Sequence, residues 1–237
     1  VGLHTDYSLS CTLDTTTNKL ILVSVSDYRM RYTYSVDNTN LTNNTAQRSL
    51  YLFEYTNEYI PFGFTSMAPI KYINSNYTSN NNYEKNVNSI LLSNNSVLIV
   101  YSSTFTDGNY YIYTSITSDN GVSYTHNFLT TYYGGSYSIM ILDICQDPIT
   151  NYIYILFSTQ TAIRYLKSTN NGVSFSIYSS TTTVAATCYT GSITAYNGIV
   201  YIVYTNQNGL TFYTSYTTDS TSTTPLQIPN SIAPTNV

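Results

Sequence analysis

Glu54 and Glu58 stand four residues apart in a Tyr-rich stretch. Hydrolysis of a glycosidic bond needs two carboxyl groups flanking that bond, so the pair is the first candidate for chemistry. Two solvated residues around a hairpin turn account for it equally well, and that reading is preferred. Other reactive side chains are sparse. His4 and His126 are isolated and lack the ligand spacing of a structural zinc site. Asp37, Asp119 and Asp219 could in principle bind calcium, but each sits in a turn-like segment where its carboxylate would accept backbone N–H groups instead. Cys11, Cys145 and Cys188 form an odd set. A Cys145–Cys188 disulfide is geometrically allowed and leaves Cys11 free or paired outside the chain; three buried thiols are the alternative. No cofactor is expected.

Tyr is the abundant candidate for binding, with 28 copies and no Trp. Tyr110, Tyr111, Tyr132, Tyr133 and Tyr137 fall around turns and loops, where a ring could stack on a sugar and its hydroxyl could bond to it. Tyr is also a strong strand former, which is the preferred reading of most copies.

The elements that must position these residues are strands. Only 8% of the 237 residues are charged, against roughly 25% in a typical soluble protein. The net charge of -4 gives no basic surface, which excludes nucleic-acid binding as an expectation. Asn far outnumbers Lys, so an A/T-rich genome alone does not explain the composition. An uncharged polar surface suits strong acid, where carboxylates are protonated and each Lys or Arg adds unbalanced charge. Thermoacidophile surface proteins and their viruses have a similar composition. No run of 18 apolar residues is present, so no transmembrane helix is expected. No signal peptide is read, and Val1 is expected to be a processed N-terminus or the edge of an excised module. Sequons at Asn40, Asn43, Asn76 and Asn94 crowd the first 100 residues and fit exposed, glycosylated loops of a secreted protein.

One segment organises the order of strands. Thr117-Ser118-Asp119-Asn120-Gly121-Val122-Ser123-Tyr124 recurs 51 positions later as Ser168-Thr169-Asn170-Asn171-Gly172-Val173-Ser174-Phe175. Each follows a Tyr-rich strand and opens another. Degraded copies begin at Ser35 and Thr217, both without the Gly. Apolar runs starting at Lys19, Ser96, Tyr152 and Ile199 precede each copy by 16 to 21 residues. Consecutive apolar residues in Lys19–Val25 suggest burial on both faces. Residues 49–55 read as a further strand, 58–73 hold two short candidates, and 74–88 read as an exposed low-complexity loop. A fixed order of strand, buried strand, strand, turn and strand at about 50 residues is the signature of propeller blades.

The repeated segment resembles the Asp-box of the sialidase (bacterial neuraminidase) repeat family, Ser/Thr-x-Asp-x-Gly-x-Thr/Ser-aromatic. Its residues here are Thr117, Asp119, Gly121 and Tyr124, then Ser168, Asn170, Gly172 and Phe175. The resemblance implies an all-β β-propeller of about four blades over residues 1–220. Residues 39–88 would be an insertion or a degenerate fifth blade, and 221–237 a Thr/Ser/Pro-rich tail. In that family the box is structural. A sialidase adds three Arg that clamp a carboxylate, a Tyr/Glu pair and an acid/base Asp. The family's Arg-Ile-Pro motif is absent, since Tyr59-Ile60-Pro61 lacks the Arg, and the four Arg are Arg29, Arg31, Arg48 and Arg164. Glu54, Glu58 and Glu84 lie between the first two boxes. The expectation is a non-catalytic member: an extracellular cell-surface, filament or virion module, with other surface proteins as partners. A glycan-binding lectin-like propeller and a divergent glycoside hydrolase are the alternatives.

Overall fold

The computed structural model describes residues 6–14, 19–26, 29–34, 71–72, 83–104, 110–119, 123–132, 139–159, 162–178, 190–206, 208–216 and 226–228. These form sixteen strands in four sheets. The first sheet holds β1 (Asp6–Asp14), β2 (Lys19–Ser26), β3 (Arg29–Tyr34) and β4 (Lys71–Tyr72). The second holds β5 (Tyr83–Leu91), β6 (Val97–Thr104), β7 (Tyr110–Thr117) and β8 (Thr125–Tyr132). The third holds β9 (Met140–Gln146), β10 (Ile153–Ser158), β11 (Ile163–Ser168) and β12 (Ser176–Tyr178). The fourth holds β13 (Thr190–Tyr196), β14 (Ile199–Thr205), β15 (Thr211–Tyr216) and β16 (Leu226–Gln227). Every neighbouring pair is antiparallel and in sequence order.

Contacts between sheets run through their first strands: β1 touches β5, β5 touches β9, and β9 touches β13. Three apolar clusters fill the spaces between successive sheets. Ile21 and Val23 meet Val87, Val97, Ile99 and Tyr101. Leu98, Val100 and Ile112 meet Ile141, Ile153, Ile155 and Phe157. Tyr154, Leu156, Ile163 and Tyr165 meet Ile193, Val200, Ile202 and Tyr204. Strand alternation explains the split, since successive side chains point to opposite faces. Both faces of β10 are covered, and all six of its residues are buried. Each large side chain buried there stabilises the fold by about 1.5–3 kcal/mol.

The apolar runs at 19, 96, 152 and 199 lie in the second strands β2, β6, β10 and β14. One stretch corrects the sequence reading. Residues 83–88 of the expected loop 74–88 are the start of β5. Just beyond them the contact with β1 is polar: Ser10 Oγ lies 2.8 Å from Ser89 Oγ and accepts from Ser89 N at 2.9 Å. The strand expected at 49–55 and the degraded boxes at 35 and 217 lie outside the described residues.

Candidate functional site

Antiparallel pairing sorts the connections to two ends. The first-to-second strand turns and the third-to-fourth strand turns share one end; the second-to-third connections and the links between sheets share the other. The repeated eight-residue segments belong to the first end, between β7 and β8 and between β11 and β12. In the later one, Ser168 Oγ donates to Asn170 Oδ1 at 2.9 Å and accepts from Gly172 N at 2.9 Å. Asn170 Oδ1 accepts from Ser174 N at 2.9 Å, and its Nδ2 donates to Ser174 Oγ at 2.8 Å. Gly172 has φ +82°, and a Cβ there would sit 3.2 Å from Ile116 Cδ1 of the preceding sheet. The earlier segment repeats the pattern: Thr117 Oγ1 donates to Asp119 Oδ1 at 2.8 Å, and Ser123 N and Oγ donate to the Asp119 carboxylate at 2.9 and 2.6 Å. Phe175 packs into the cluster between the second and third sheets, and Tyr124 into that between the first and second. Gly121 lies outside the described residues.

Asp147 was not singled out by sequence, yet among the described residues it is the carboxylate held by the most backbone N–H groups. Its side chain is fully buried. Oδ1 accepts from Ile149 N at 2.8 Å and Thr150 N at 3.3 Å within its own turn. Across to the fourth sheet, Oδ1 accepts from Asn197 N at 3.1 Å and Oδ2 from Gly198 N at 2.6 Å. Burial alone would raise its pKa; the N–H groups of Gly198, Ile149 and Thr150 outweigh burial and hold it below the ordinary value. Asn197 and Gly198 both have positive φ, which aims their N–H groups at the carboxylate. Gln146 links the same turn backward, accepting from Ser93 N at 2.8 Å and donating to Asn151 O at 3.2 Å. Asp143 repeats the device along the first strands, accepting from Ser192 Oγ at 2.6 Å and Ile193 N at 3.0 Å.

Ser115 and His126 are committed to each other. Ser115 Oγ and His126 Nδ1 are 2.7 Å apart, the contact of a nucleophile with its base. Ser115 is fully buried, however, so its hydroxyl does not face a substrate. The two are register partners on β7 and β8, and burial lowers the His126 pKa. Cys145 is a free thiol, and Cys188, its expected partner, lies outside the described residues. Burial first, then the Asp143 and Asp147 carboxylates, push its pKa up to about 12. Cys11 is free and exposed. Among the described residues no cluster of His, Cys, Asp and Glu could hold a metal ion, and no helix is long and apolar enough to cross a membrane.

Tyr110, Tyr111 and Tyr132 lie at the end away from the repeated turns. Tyr110 opens β7 and Tyr132 closes β8, and the two are register partners. Tyr111 is half-buried and lies against Tyr113, with ring centroids 6.4 Å apart. Arg29 and Glu84 occupy strand starts at this end, and Arg164 lies near the start of β11. Asn94 is exposed in the β5–β6 turn, where its Oδ1 accepts from Ser96 N at 3.1 Å. Tyr133, Glu54, Glu58, Arg48, His4, Asp37, Asp219, Asn40, Asn43 and Asn76 lie outside the described residues.

No protein-family model matches the chain, and no curated protein matches it in sequence. Solved structures do match the fold. A Hadza microbial sialidase superposes with TM-score 0.62 at 8% identity, over 94% of this chain and 46% of its own. The Trypanosoma rangeli sialidase in complex with sialic acid gives 0.55 at 9%, over 91% of this chain and 37% of its own. The α-L-arabinofuranosidase of Fusarium graminearum gives 0.56 at 13%, over 94% and 66%. The fold is therefore all-β, sialidase-like and propeller-like, of the class found in glycan-acting hydrolases. At these identities the likeness is one of fold, and this chain spans about half the length of the sialidases, or less.

Proposed function

We propose that this chain is a non-enzymatic extracellular module, a cell-surface, filament or virion component acting in assembly or adhesion, built as a propeller of Asp-box blades. The observation that supports it is the use made of the described carboxylates. Asp119 ties its own turn, and Asp143 and Asp147 tie the third sheet to the fourth. An acid or base for glycoside hydrolysis must instead face a bond in a cleft. The low charge and the sequons, Asn94 on an exposed turn among them, support an extracellular surface. The test is incubation with a broad panel of reporter glycosides. No turnover is expected; turnover that vanishes on mutating one carboxylate sinks the reading.

The glycan-binding alternative is favoured by the register pairing of Tyr110 and Tyr132 at the end opposite the repeated turns. A Tyr ring offers a flat apolar face on which a sugar can stack and a hydroxyl that can bond to it. This reading expects saturable binding to a defined glycan, lost when Tyr110 and Tyr132 are changed to Ala. A flat titration across a glycan array counts against it.

A further inference from the structure

Two chemically weak dipeptides meet at the Asp147 turn. Asp147-Pro148 is the chain's only Asp-Pro bond. In acid, the Asp carboxyl oxygen of such a pair attacks its own carbonyl carbon. The Pro nitrogen takes up a proton and leaves as a secondary amine, and water opens the cyclic anhydride. The net change is one water added across the peptide bond. Asn197-Gly198 is an Asn-Gly pair. In such a pair the Gly nitrogen gives up its proton and attacks the Asn Cγ. Ammonia leaves with that proton, and water opens the succinimide to Asp or isoaspartate. Gly favours the step because no Cβ crowds the ring closure. Water is the sole co-reactant in both. In the fold the two nucleophiles are hydrogen-bond partners: Gly198 N donates to Asp147 Oδ2 at 2.6 Å. Oδ1 is filled by the N–H groups of Ile149, Thr150 and Asn197. Neither carboxylate oxygen is left to turn on the Asp147 carbonyl, whose own oxygen accepts from Asn151 N at 2.9 Å. The carboxylate charge also opposes loss of the Gly198 proton, since it disfavours a second negative charge beside it. Pro148 and the Asn197 side chain are exposed, whereas Asp147 and Gly198 are buried. Water thus reaches both dipeptides while their nucleophiles are held.

We propose that the Asp147–Gly198 contact guards a double modification site: while it holds, neither reaction proceeds, and once it parts, the chain is cut after Asp147 in acid and Asn197 is converted to Asp or isoaspartate near neutral pH. Two further Asn-Gly pairs in the chain serve as internal standards. Gly172 N donates to Ser168 Oγ at 2.9 Å and Gly209 N to Asn206 O at 2.9 Å, both neutral acceptors that add no opposing charge. Asn171 and Asn208 are exposed, as Asn197 is. Isoaspartate at 197 would lengthen the main chain by a methylene and move Gly198 N off the carboxylate, so one opening of the turn leaves a permanent mark. This inference goes beyond the assembly reading and holds whether or not the chain assembles.

The test is peptide mapping by mass spectrometry of the full chain, aged at neutral pH either folded or unfolded in guanidinium chloride. For each Asn-Gly pair the folded rate is divided into the unfolded one. Asn197 should be protected about tenfold more than Asn208, the rate equivalent of one charge-assisted hydrogen bond. Asp147→Asn should speed deamidation at Asn197 by about tenfold or more and leave Asn171 unchanged. A variant that simply unfolds would instead raise all three pairs together, and the wild-type ratio then decides. The acid arm ages the wild type at the lowest pH at which circular dichroism still shows the fold, with and without guanidinium chloride. Fragments ending at Asp147 and starting at Pro148 are expected from the unfolded chain alone. Equal protection of Asn197 and Asn208 overturns the inference, as does a folded Asp147→Asn variant with an unchanged Asn197 rate. Cleavage at Asp147-Pro148 as fast in the folded chain as in the unfolded one overturns it as well.

Discussion

Replacing Asp147 by Asn exchanges one buried oxygen for an NH2 group and leaves the shape of the side chain unchanged. Oδ1 can still accept from Ile149, Thr150 and Asn197, now as a neutral group. The new NH2 faces Gly198 N across the 2.6 Å contact, donor against donor. Losing one charge-assisted bond costs about 1.5–3 kcal/mol, and the buried Gly198 N–H left unpaired adds about 1–3 kcal/mol. The variant should therefore lose about 3–5 kcal/mol, a large part of the total stability of roughly 5–15 kcal/mol. Urea unfolding at neutral pH measures the loss from the shift in midpoint. Amide hydrogen exchange locates it: Asn197 and Gly198, 50 and 51 residues away, should lose protection. The folded pKa of Asp147 lies below the ordinary value of 3.8, so its contribution is fully present above that value. It fades as pH falls through the lower, folded value, and wild type and variant should converge there. A loss under about 1 kcal/mol, or unchanged exchange at Gly198, would refute the reasoning.

Tyr154 is buried with a hydroxyl that has no hydrogen-bond partner among the described residues, and burial followed by the Asp147 charge raises its pKa. Tyr154→Phe should raise stability by about 1 kcal/mol in urea unfolding, because it removes an unsatisfied polar group. Gly172→Ala should cost more than 1 kcal/mol, roughly, since the new Cβ is strained at positive φ and meets Ile116 Cδ1. Asp119→Ala should cost about 1–3 kcal/mol by freeing the Ser123 N–H and hydroxyl, measured the same way. Cys145 should resist alkylation at pH 7 in the folded chain and react once urea unfolds it, as peptide mapping would show, because its thiol titrates near pH 12.

The second strands were legible because they sit between two sheets and carry apolar residues on consecutive positions, as Ile153 to Phe157 do. The start of β5 was not, because it lacks an apolar run, and the polar partners of Asn88 and Ser89, namely Ser10 and Thr12, lie almost 80 residues earlier. Both turns that Asp147 joins are readable locally as turns. Their meeting is not, since it depends on how successive sheets stack rather than on either segment. A signal was available in the repeat spacing, which places Asp147 one repeat ahead of the Asn197-Gly198 pair. Cys145 carries a free thiol beside two carboxylates, a setting no local pattern in the sequence announces, and its expected partner Cys188 lies outside the described residues.

The most direct measurement is the mass of the native species, purified from its source without denaturation. The proposed function predicts a large regular assembly held together without any glycoside turnover. A monomer near chain mass plus glycans that cleaves a glycan would contradict it.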